Sequence, residues 1–235
     1  MNIAVIIAGG SGKRTNQDIP KQFMCVENKP IIIYTMEAFQ RCQAVDSIVA
    51  VCLEGWTTVL EAYAHQFGIT KLEQVVLGGA TRFDSVYNGL NCLRDRAAPD
   101  DIVLLHDANR PLIPEDCIED SIRMARLHGC ALTALPSFDS IYHTSDGAFP
   151  DANAVREELY RGQSPESITF GKAMDFYDHY AGKGGSNKPL CGMMLELGET
   201  VAFSKGSYRN FKITTAEDFE LFQALLHPAA NLWIK

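Results

Sequence analysis

Residues 3–14 read IAVIIAGGSGKR, an apolar run that leads directly into a glycine-rich, basic turn. A second basic site, Lys21, follows in the sequence PKQF at residues 20–23. Many α/β enzymes hold phosphates in this way, because small residues let backbone N–H groups approach the oxygens and cations neutralise their charge. A flexible turn without a ligand is the alternative, which the cations Arg14 and Lys21 disfavour. The stretch therefore predicts a first strand that ends in an anion-binding loop.

Two better-known glycine motifs do not fit this loop. A Walker A loop that used the GK pair at 12–13 requires glycine where Ile7 stands, and serine or threonine where Arg14 stands. The dinucleotide fingerprint G-x-G-x-x-G, begun at Gly10, meets Thr15 in place of its third glycine. The loop therefore disfavours both a P-loop nucleotidase and a Rossmann dehydrogenase.

Composition narrows the class of protein further. The chain has 235 residues, of which 46% are hydrophobic and 21% charged, which fits a single α/β domain. Its net charge of −8 argues against a general nucleic-acid binder, so the basic clusters favour a small anionic ligand. We expect neither a membrane segment nor a signal peptide, because no apolar run is long enough and the chain begins with a core strand. Seven singly placed cysteines and histidines without metal-ligand spacing predict reduced thiols in a cytoplasmic protein.

Strands and helices alternate along the sequence. This order predicts an α/β fold with a Rossmann-like, twisted, mostly parallel sheet covered by helices on both faces. The predicted strands cover residues 3–7, 47–53, 74–77, 102–106, 130–135 and 200–204, and the predicted helices cover 31–41, 57–67, 82–96 and 114–128, with a last helix from Thr215. Residues 210–213 are a further candidate strand, which would place Lys212 at its end.

The alternation stops between residues 137 and 162. Segments 139–144 and 154–160, with a turn at Asp146-Gly147 between them, predict a β-arm that projects from the body. A surface excursion and a dimerisation arm both fit this pattern. The composition of residues 182–187 predicts a mobile loop.

Three motifs follow predicted strands and so should lie at one edge of the sheet. They are the loop at 9–14, the sequence GGATR at 78–82 and the sequence HDANRP at 106–111. In open α/β sheets, ligands bind at the carboxyl ends of the strands. We therefore expect these motifs and Lys212 to form one site.

Five ordered motifs give the chain a family resemblance. They are A-x-G-x-G-x-R at 8–14, P-K-Q-F at 20–23, G-G-x-x-R-x-x-S-V-x-x-G-L at 78–90, H-D-A-x-R-P at 106–111 and N-x-K-I-T-x-x-E-D at 210–218. In this order they resemble the cytidylyltransferases of polyol phosphates, which act on 2-C-methyl-D-erythritol 4-phosphate or ribitol 5-phosphate. The resemblance implies a single nucleotidyltransferase domain over residues 1–235 and products that feed isoprenoid synthesis or cell-envelope polymers.

The resemblance also implies a reaction and its residues. The acceptor phosphate would attack the α-phosphorus of CTP, pyrophosphate would leave, and Mg²⁺ would bridge the triphosphate oxygens. Catalytic roles fall to Arg14, Lys21, Arg156 and Lys212. Nucleotide contacts fall to Ala8, Gly9, Gly10, Gly12, Gly78, Gly79, Arg82, Ser85, Asp107 and Ala108, and Asp107 is also the expected metal ligand. A turn or helix cap is the alternative role for Asp107.

Acceptor contacts are implied in the same way. They fall to Arg110, Ser140, Ser164 and Lys188. Residues 137–162 match the family's arm, which reaches a neighbouring subunit and so implies a homodimer with shared sites. For Arg156, a solvated surface arginine is the alternative.

Several departures from the family pattern leave the acceptor open. Asn109 stands where a small residue is usual, Glu166 replaces a glutamine, and Lys188-Pro189 replaces a Thr-Asp pair. Two alternatives therefore remain beside a methylerythritol phosphate or ribitol phosphate acceptor. One is a nucleotidyltransferase with another sugar-phosphate acceptor, and the other is a non-catalytic nucleotide-binding homologue.

Overall fold

The computed structural model describes residues 1–10, 19–181 and 188–226. Its strands are β1 (Asn2–Ala8), β2 (Cys25–Val26), β3 (Lys29–Pro30), β4 (Ser47–Cys52), β5 (Leu72–Leu77), β6 (Ile102–Asp107), β7 (Cys130–Pro136), β8 (Tyr142–His143), β9 (Ala152–Asn153), β10 (Tyr160–Thr169) and β11 (Ala202–Lys205). Its α-helices are α1 (Ile31–Arg41), α2 (Thr57–Gln66), α3 (Arg82–Asn91), α4 (Glu115–His128), α5 (Phe170–Tyr180), α6 (Leu190–Glu196) and α7 (Ala216–Leu226).

Seven of these strands form one sheet, in the order β11-β7-β10-β6-β1-β4-β5. β1 lies between β6 and β4 and is parallel to both, with Ile7 opposite Asp107 and Ala8 opposite Cys52. Only β10 runs antiparallel to its neighbours within this sheet. The predicted mostly parallel sheet is confirmed, and its register places the motif-bearing ends of β1 and β6 side by side.

Helices cover both faces of the sheet, as predicted. On one face, side chains of α1, α2 and α4 pack on alternate residues of the central strands, such as Ile6 and Leu104. On the other face, α3, α5 and α6 pack on the intervening residues, such as Val5 and Leu105. Because both faces are buried, β1, β4 and β6 read as nearly continuous apolar runs, which made them easy to predict.

The predicted β-arm is present between β7 and β10. Its tip is the short antiparallel pair β8–β9, and its base closes where the Ser137 N–H donates to the Leu159 carbonyl at 2.8 Å. The turn at the tip uses Gly147 at φ 74°, a conformation that glycine adopts without steric cost. The Asp146 carboxylate accepts hydrogen bonds from two backbone amides of this turn, Ala148 and Phe149.

Other boundaries differ from the predictions. β10 and α5 were missed, and residues 210–213 do not form the strand that the sequence predicted. The backbone N–H of Ile213 donates instead to the Asn109 carbonyl, which belongs to a loop and not to a sheet edge. The predicted helix 82–96 ends at Asn91. The predicted loop 182–187 lies outside the described residues. Within the described ranges, no helix is long and apolar enough to cross a membrane.

Candidate active site

A cleft of about 730 Å³ opens where β1, β5 and β6 end. Its described lining brings the predicted motifs together with the segment after β11. The lining residues are Ile7, Ala8, Gly9, Gly10, Lys21, Gln22, Gly79, Ala80, Thr81, Arg82, Ser85, Asp107, Ala108, Asn109, Lys212 and Thr214. The expectation that the motifs share one site is therefore supported by the geometry. Gly12 and Arg14 lie outside the described residues.

The start of the glycine loop is held by Gln22, a residue to which the sequence analysis gave no role. Its side-chain amide donates to the Ala8 carbonyl at 2.7 Å and to the Gly10 carbonyl at 3.0 Å. Gln22 is buried in a short 3-10 turn, Lys21–Phe23, and the same turn carries Lys21 into the cleft. Gln22 therefore fixes the geometry between the loop and Lys21. Its place between Lys21 and Phe23 in PKQF was the available signal.

Two glycines after β5 are required by close packing. The Gly78 N–H donates to the Cys52 carbonyl, and a Cβ on Gly78 would lie 3.2 Å from the Gly9 Cα. A Cβ on Gly79 would lie 2.2 Å from the Asp84 Cβ, which is closer than any real contact. Gly78 therefore allows a close approach to the loop after β1, and Gly79 allows the chain to pack against the start of α3. Gly9, Gly10 and Gly79 leave backbone exposed to the cleft.

Ser85 organises this second loop from inside. Its hydroxyl accepts a hydrogen bond from the Gly79 N–H at 3.0 Å and donates to the Thr81 carbonyl at 2.9 Å. Thr81 and Asp84 form a capping box at the start of α3. Arg82, the first residue of α3, therefore lies in the cleft at a helix end that the capping box holds in place.

Arg82 joins two acidic groups. Its guanidinium donates to Asp107 Oδ1 at 2.8 Å and to Glu166 Oε1 at 3.2 Å. The second oxygen of Glu166 accepts from the Cys191 N–H at 2.6 Å, in the first turn of α6. Burial raises the pKa of the Glu166 carboxyl, and the charge of Arg82 opposes that rise. Glu166 was noted in the sequence only as a departure, and its structural contacts tie the cleft to α6.

Asp107 is the electrostatic centre of the described site. Its Oδ1 faces Arg82, while its Oδ2 lies 3.3 Å from Arg110 Nε and 3.0 Å from Lys212 Nζ. Burial works against the charge of Asp107, but Arg82, Lys212 and Arg110 outweigh it and hold the pKa of Asp107 far below its ordinary value. Asp107 is therefore a buried carboxylate that gathers three cations. The arrangement presents excess positive charge to the cleft.

The residue before it, His106, is a neutral support. Burial lowers the pKa of His106 to about 3. Its Nε2 lies 3.2 Å from the Arg110 carbonyl, which only accepts, so Nε2 carries the proton. The other ring nitrogen then accepts from the Ser164 hydroxyl at 3.1 Å, and that hydroxyl oxygen accepts the Asp107 N–H. Ser164, predicted to contact the acceptor, here bonds within the protein.

Two asparagines hold the segment that carries Lys212. Asn109 Nδ2 donates to the Ile213 carbonyl at 2.7 Å, and Asn210 Nδ2 donates to the Ser164 carbonyl at 2.7 Å. Arg110 Nη1 donates to the Asn210 carbonyl at 2.7 Å. Arg110, another predicted acceptor contact, is therefore occupied with Asp107 and this backbone. Asn210 had no assigned role, although it opens the last sequence motif.

Six predicted residues in the described ranges are not part of the cleft lining. They are Gly78, Arg110 and Ser164, whose contacts are given above, and Ser140, Arg156 and Lys188. Ser140 and Arg156 lie on the exposed arm, where Arg156 Nη2 contacts Glu157 at 3.3 Å. Lys188 lies before α6, where its Nζ forms an exposed ion pair with Glu196 at 2.5 Å. Within this chain, the arm residues remain predictions for contacts with a second subunit.

Asp107 would hold a phosphate-bound magnesium ion if one of its oxygens exchanged an ion pair for the metal. Asp107 is the one carboxylate among the described residues that line the cleft. Magnesium usually takes one or two carboxylates and completes its shell with water and substrate phosphates. A cluster of Cys42, Glu115 and Glu119 is the other metal-capable group in the described ranges, and it does not line the cleft.

A mostly parallel sheet, with close-packed glycine loops and converging cations where the strands end, defines a nucleotidyltransferase. The family model described as IspD: 2-C-methyl-D-erythritol 4-phosphate cytidylyltransferase matches residues 2–228. The chain belongs to this family of cytidylyltransferases.

Curated relatives of both acceptor types are similar over nearly the whole chain. A ribitol-5-phosphate cytidylyltransferase of Lacticaseibacillus paracasei is 37% identical over 229 residues, which covers 96% of this chain and 98% of the relative. A 2-C-methyl-D-erythritol 4-phosphate cytidylyltransferase of Clostridium botulinum is 36% identical over 228 residues, which covers 96% and 97%.

Solved structures agree on the fold. A 4-diphosphocytidyl-2C-methyl-D-erythritol synthase has a TM-score of 0.80 at 24% identity and covers 96% of this chain and 98% of its own. The 2-C-methyl-D-erythritol 4-phosphate cytidylyltransferase of Francisella tularensis has a TM-score of 0.73 at 26% identity, with coverage of 94% and 98%. The family model and the curated relatives confirm the predicted family and enzyme class, and the solved structures confirm the predicted fold class.

Proposed function

We propose that this chain transfers CMP from CTP to a phosphorylated polyol of the ribitol 5-phosphate or methylerythritol 4-phosphate type. An oxygen of the acceptor phosphate forms a bond to the α-phosphorus, and the bond from that phosphorus to the β-phosphate bridging oxygen breaks. Pyrophosphate leaves and a CDP-polyol remains. The observation that carries the proposal is the convergence of Lys21, Lys212 and the Asp107-bound arginine on one glycine-lined cleft.

Charge is the physical reason for this proposal. A triphosphate and an acceptor phosphate repel each other, so a site that joins them needs cations for both. Lys21 lies beside the glycine loop, where we place the triphosphate. Lys212 lies beside Asp107, where we place the acceptor phosphate. The backbone around Gly79 and Ala80 offers polar groups for the base and ribose.

We further propose a divalent cation, held by Asp107 and by triphosphate oxygens. When bound, Mg²⁺ supplies charge neutralisation at the phosphates. Asp107 itself keeps the surrounding cations ionised and in place.

A pyrophosphate-release assay tests the reaction. It combines CTP and Mg²⁺ with ribitol 5-phosphate, 2-C-methyl-D-erythritol 4-phosphate, glycerol 3-phosphate or a hexose phosphate, and uses UTP and ATP as nucleotide controls. We expect CTP-dependent turnover with one of the two polyol phosphates named first. Turnover with a sugar phosphate or with UTP alone would support the first alternative, and bound CTP without turnover would support a non-catalytic homologue.

The Lys21→Ala variant tests the assignment of the cation. We expect a fall in kcat of about 10²- to 10³-fold, because one charge that stabilises the transition state is removed. The matched control is Lys172→Ala, which removes a partly exposed lysine that pairs with Glu199 at 2.7 Å. Near-wild-type kcat for Lys21→Ala would contradict the assignment.

We propose that the arm over residues 137–162 forms a homodimer. The arm is rich in exposed apolar side chains, among them Phe149 at 75%, Tyr142 at 60% and Val155 at 57%. Exposed apolar patches of this kind mark interaction sites. In such a dimer, Arg156 and Ser140 would meet the cleft of the neighbouring subunit.

Complementation tests the shared site. Arg156→Ala and Lys21→Ala subunits are co-expressed with different tags, and the mixed dimer is isolated through both tags. Its one intact site would combine Lys21 from one subunit with Arg156 from the other, so we expect activity well above that of either parent variant. A monomeric wild-type protein in sedimentation, or an inactive mixed dimer, would refute the proposal.

We also assign the enzyme to the cytoplasm, as the sequence predicted. The seven singly placed cysteines of the sequence support this assignment, because small secreted proteins commonly pair theirs in disulfides.

A further inference from the structure

Lys212 lies in a segment with no secondary structure of its own. Residues 206–215 connect β11 to α7, and neither a strand nor a helix fixes their backbone. Even so, Lys212 Nζ reaches Asp107 Oδ2 at 3.0 Å across the cleft. A cation on an irregular segment keeps such a position only if other contacts hold its backbone.

Asn109 holds the backbone of Ile213, the residue directly after Lys212. Its side-chain amide donates to the Ile213 carbonyl at 2.7 Å, while its own carbonyl accepts the Ile213 N–H at 2.9 Å. These two hydrogen bonds hold Ile213 through both its N–H and its carbonyl, and so fix the peptide units on either side of it. Asn109 is buried and follows Asp107 by two positions, so one loop holds both the lysine backbone and its carboxylate partner.

Asn210 holds the segment at its other end. Asn210 is bonded through its carbonyl to Arg110 and through its side chain to Ser164. These hydrogen bonds of Asn210 fix the segment two residues before Lys212. The end of the segment is held by two side chains. Asp218 Oδ2 accepts the N–H groups of Thr214 at 2.7 Å and of Thr215 at 2.9 Å, and the Asn109 side chain is the one of the two that bonds to Ile213, directly after Lys212.

We propose that Asn109 is a positioning residue that sets Lys212 for the acceptor phosphate. The proposal rests on the proposed function, in which Lys212 binds that phosphate. Electrostatic attraction falls with distance, and small displacements of a charged group in an active site reduce turnover strongly. The Asn109 side chain therefore acts on acceptor binding through Lys212 and leaves the CTP side of the cleft unchanged.

Kinetics of Asn109→Ala provide the first test. We expect the acceptor KM to rise about tenfold, the effect of one lost buried hydrogen bond, while the CTP KM stays within about twofold. The matched control is Gln40→Ala, whose side-chain amide also fastens a loop, by accepting the Lys71 N–H at 2.9 Å and donating to Thr70. The control should lower the melting temperature without this change in KM.

A double-mutant cycle makes the test specific. If Asn109 acts only through Lys212, then Asn109→Ala should have no further effect on acceptor kcat/KM in a Lys212→Met background. Additive losses in the double variant would overturn the proposal. Equal changes in both KM values would also overturn it, because they would show a general disturbance of the cleft.

Two measurements need no turnover. Acylation of Lys212 by an amine-reactive ester, followed by mass spectrometry, should be faster in Asn109→Ala, because the lysine leaves its ion pair. Amide hydrogen exchange of the peptide that contains Ile213 should also be faster. Unchanged rates in a folded variant would refute positioning. A wild-type enzyme without turnover on any acceptor would refute the proposed function. The acylation rate of Lys212 would still test whether Asn109 positions that lysine, because it needs no turnover.

Discussion

Replacing Asp107 with asparagine should destabilise the protein strongly, although the change preserves side-chain shape. Asp107 is buried and contacts Arg82 at 2.8 Å, Lys212 at 3.0 Å and Arg110 at 3.3 Å. The variant leaves these cations facing one another and turns an amide N–H group toward one of them. Removing one partner of a buried ion pair costs about 3–5 kcal/mol.

That cost translates into a measurable melting shift. For a chain of this size, each kcal/mol lowers Tm by about 2–4 °C, so we expect Asp107→Asn to melt about 6–20 °C below wild type. Because the folded-state pKa of Asp107 is depressed, its contribution is complete above about pH 4 and is lost as the pH falls further. The gap between variant and wild type should therefore stay constant from pH 8 to about pH 5 and shrink only in acid.

Calorimetry with a matched control decides the outcome. Asp116→Asn removes an exposed carboxylate that pairs with Lys205 at 2.5 Å, and should cost about 1 kcal/mol or less. Inorganic tripolyphosphate should stabilise Asp107→Asn more than wild type, because it restores negative charge among the cations. If Asp107→Asn had the same Tm as wild type, the three cations would not depend on Asp107 and the electrostatic account of the site would be wrong.

Other residues give separate tests. Below about pH 6.5, His106 should lower the free energy of unfolding by about 1.4 kcal/mol per pH unit, because the unfolded chain binds a proton there that the folded chain does not bind. Urea titrations should show this pH dependence in wild type and its loss in His106→Gln. Gln22→Ala should lower stability by about 1–3 kcal/mol and weaken CTP binding, measured by denaturation and calorimetry, since two loop carbonyls lose their donor; unchanged CTP affinity would contradict its role. Gly79→Ala should reduce Tm by several degrees because its Cβ meets Asp84. Gly10→Ala, whose Cβ has no described residue within 4 Å, should melt at the same temperature as wild type.

The central strands were predictable because burial on both faces of a parallel sheet demands continuous apolar runs. β1 and β6 show this pattern, and their ends carry the loop motifs that defined the cleft. The helices between them follow from apolar residues at helical spacing, as in α1. The local sequence pattern was sufficient to predict those strands and helices whose apolar residues follow one regular spacing.

β10 could not be predicted in the same way. Its middle reads Gly-Gln-Ser-Pro-Glu at residues 162–166, which has the composition of a loop. In the structure, the polar side chains of Ser164 and Glu166 are buried because His106 and Arg82 from distant elements satisfy them. Partners of this kind are defined by the tertiary fold, and single-sequence patterns do not contain them.

The supports of the site were missed for a related reason. In the sequence, Asn109 was noted only as a departure from the family pattern, and Gln22 was given no role. Their amides hold backbone carbonyls that only the folded chain brings within reach. The charged residues were easier to predict, because phosphate chemistry demands cations at such a loop.

The position of β10 makes the arm a replaceable module. The arm leaves the sheet after Pro136 and returns at Tyr160, and these two residues lie opposite each other in the β7–β10 ladder. The register farther along the same strand is fixed independently, where Glu166 lies opposite both Leu105 and Leu132. An arm of different length or sequence could therefore be grafted between these two junctions without shifting the residues that surround Asp107. Chimeras that keep Ser140 and Arg156 on the grafted arm would allow partner choice to be redesigned while the proposed shared site is kept.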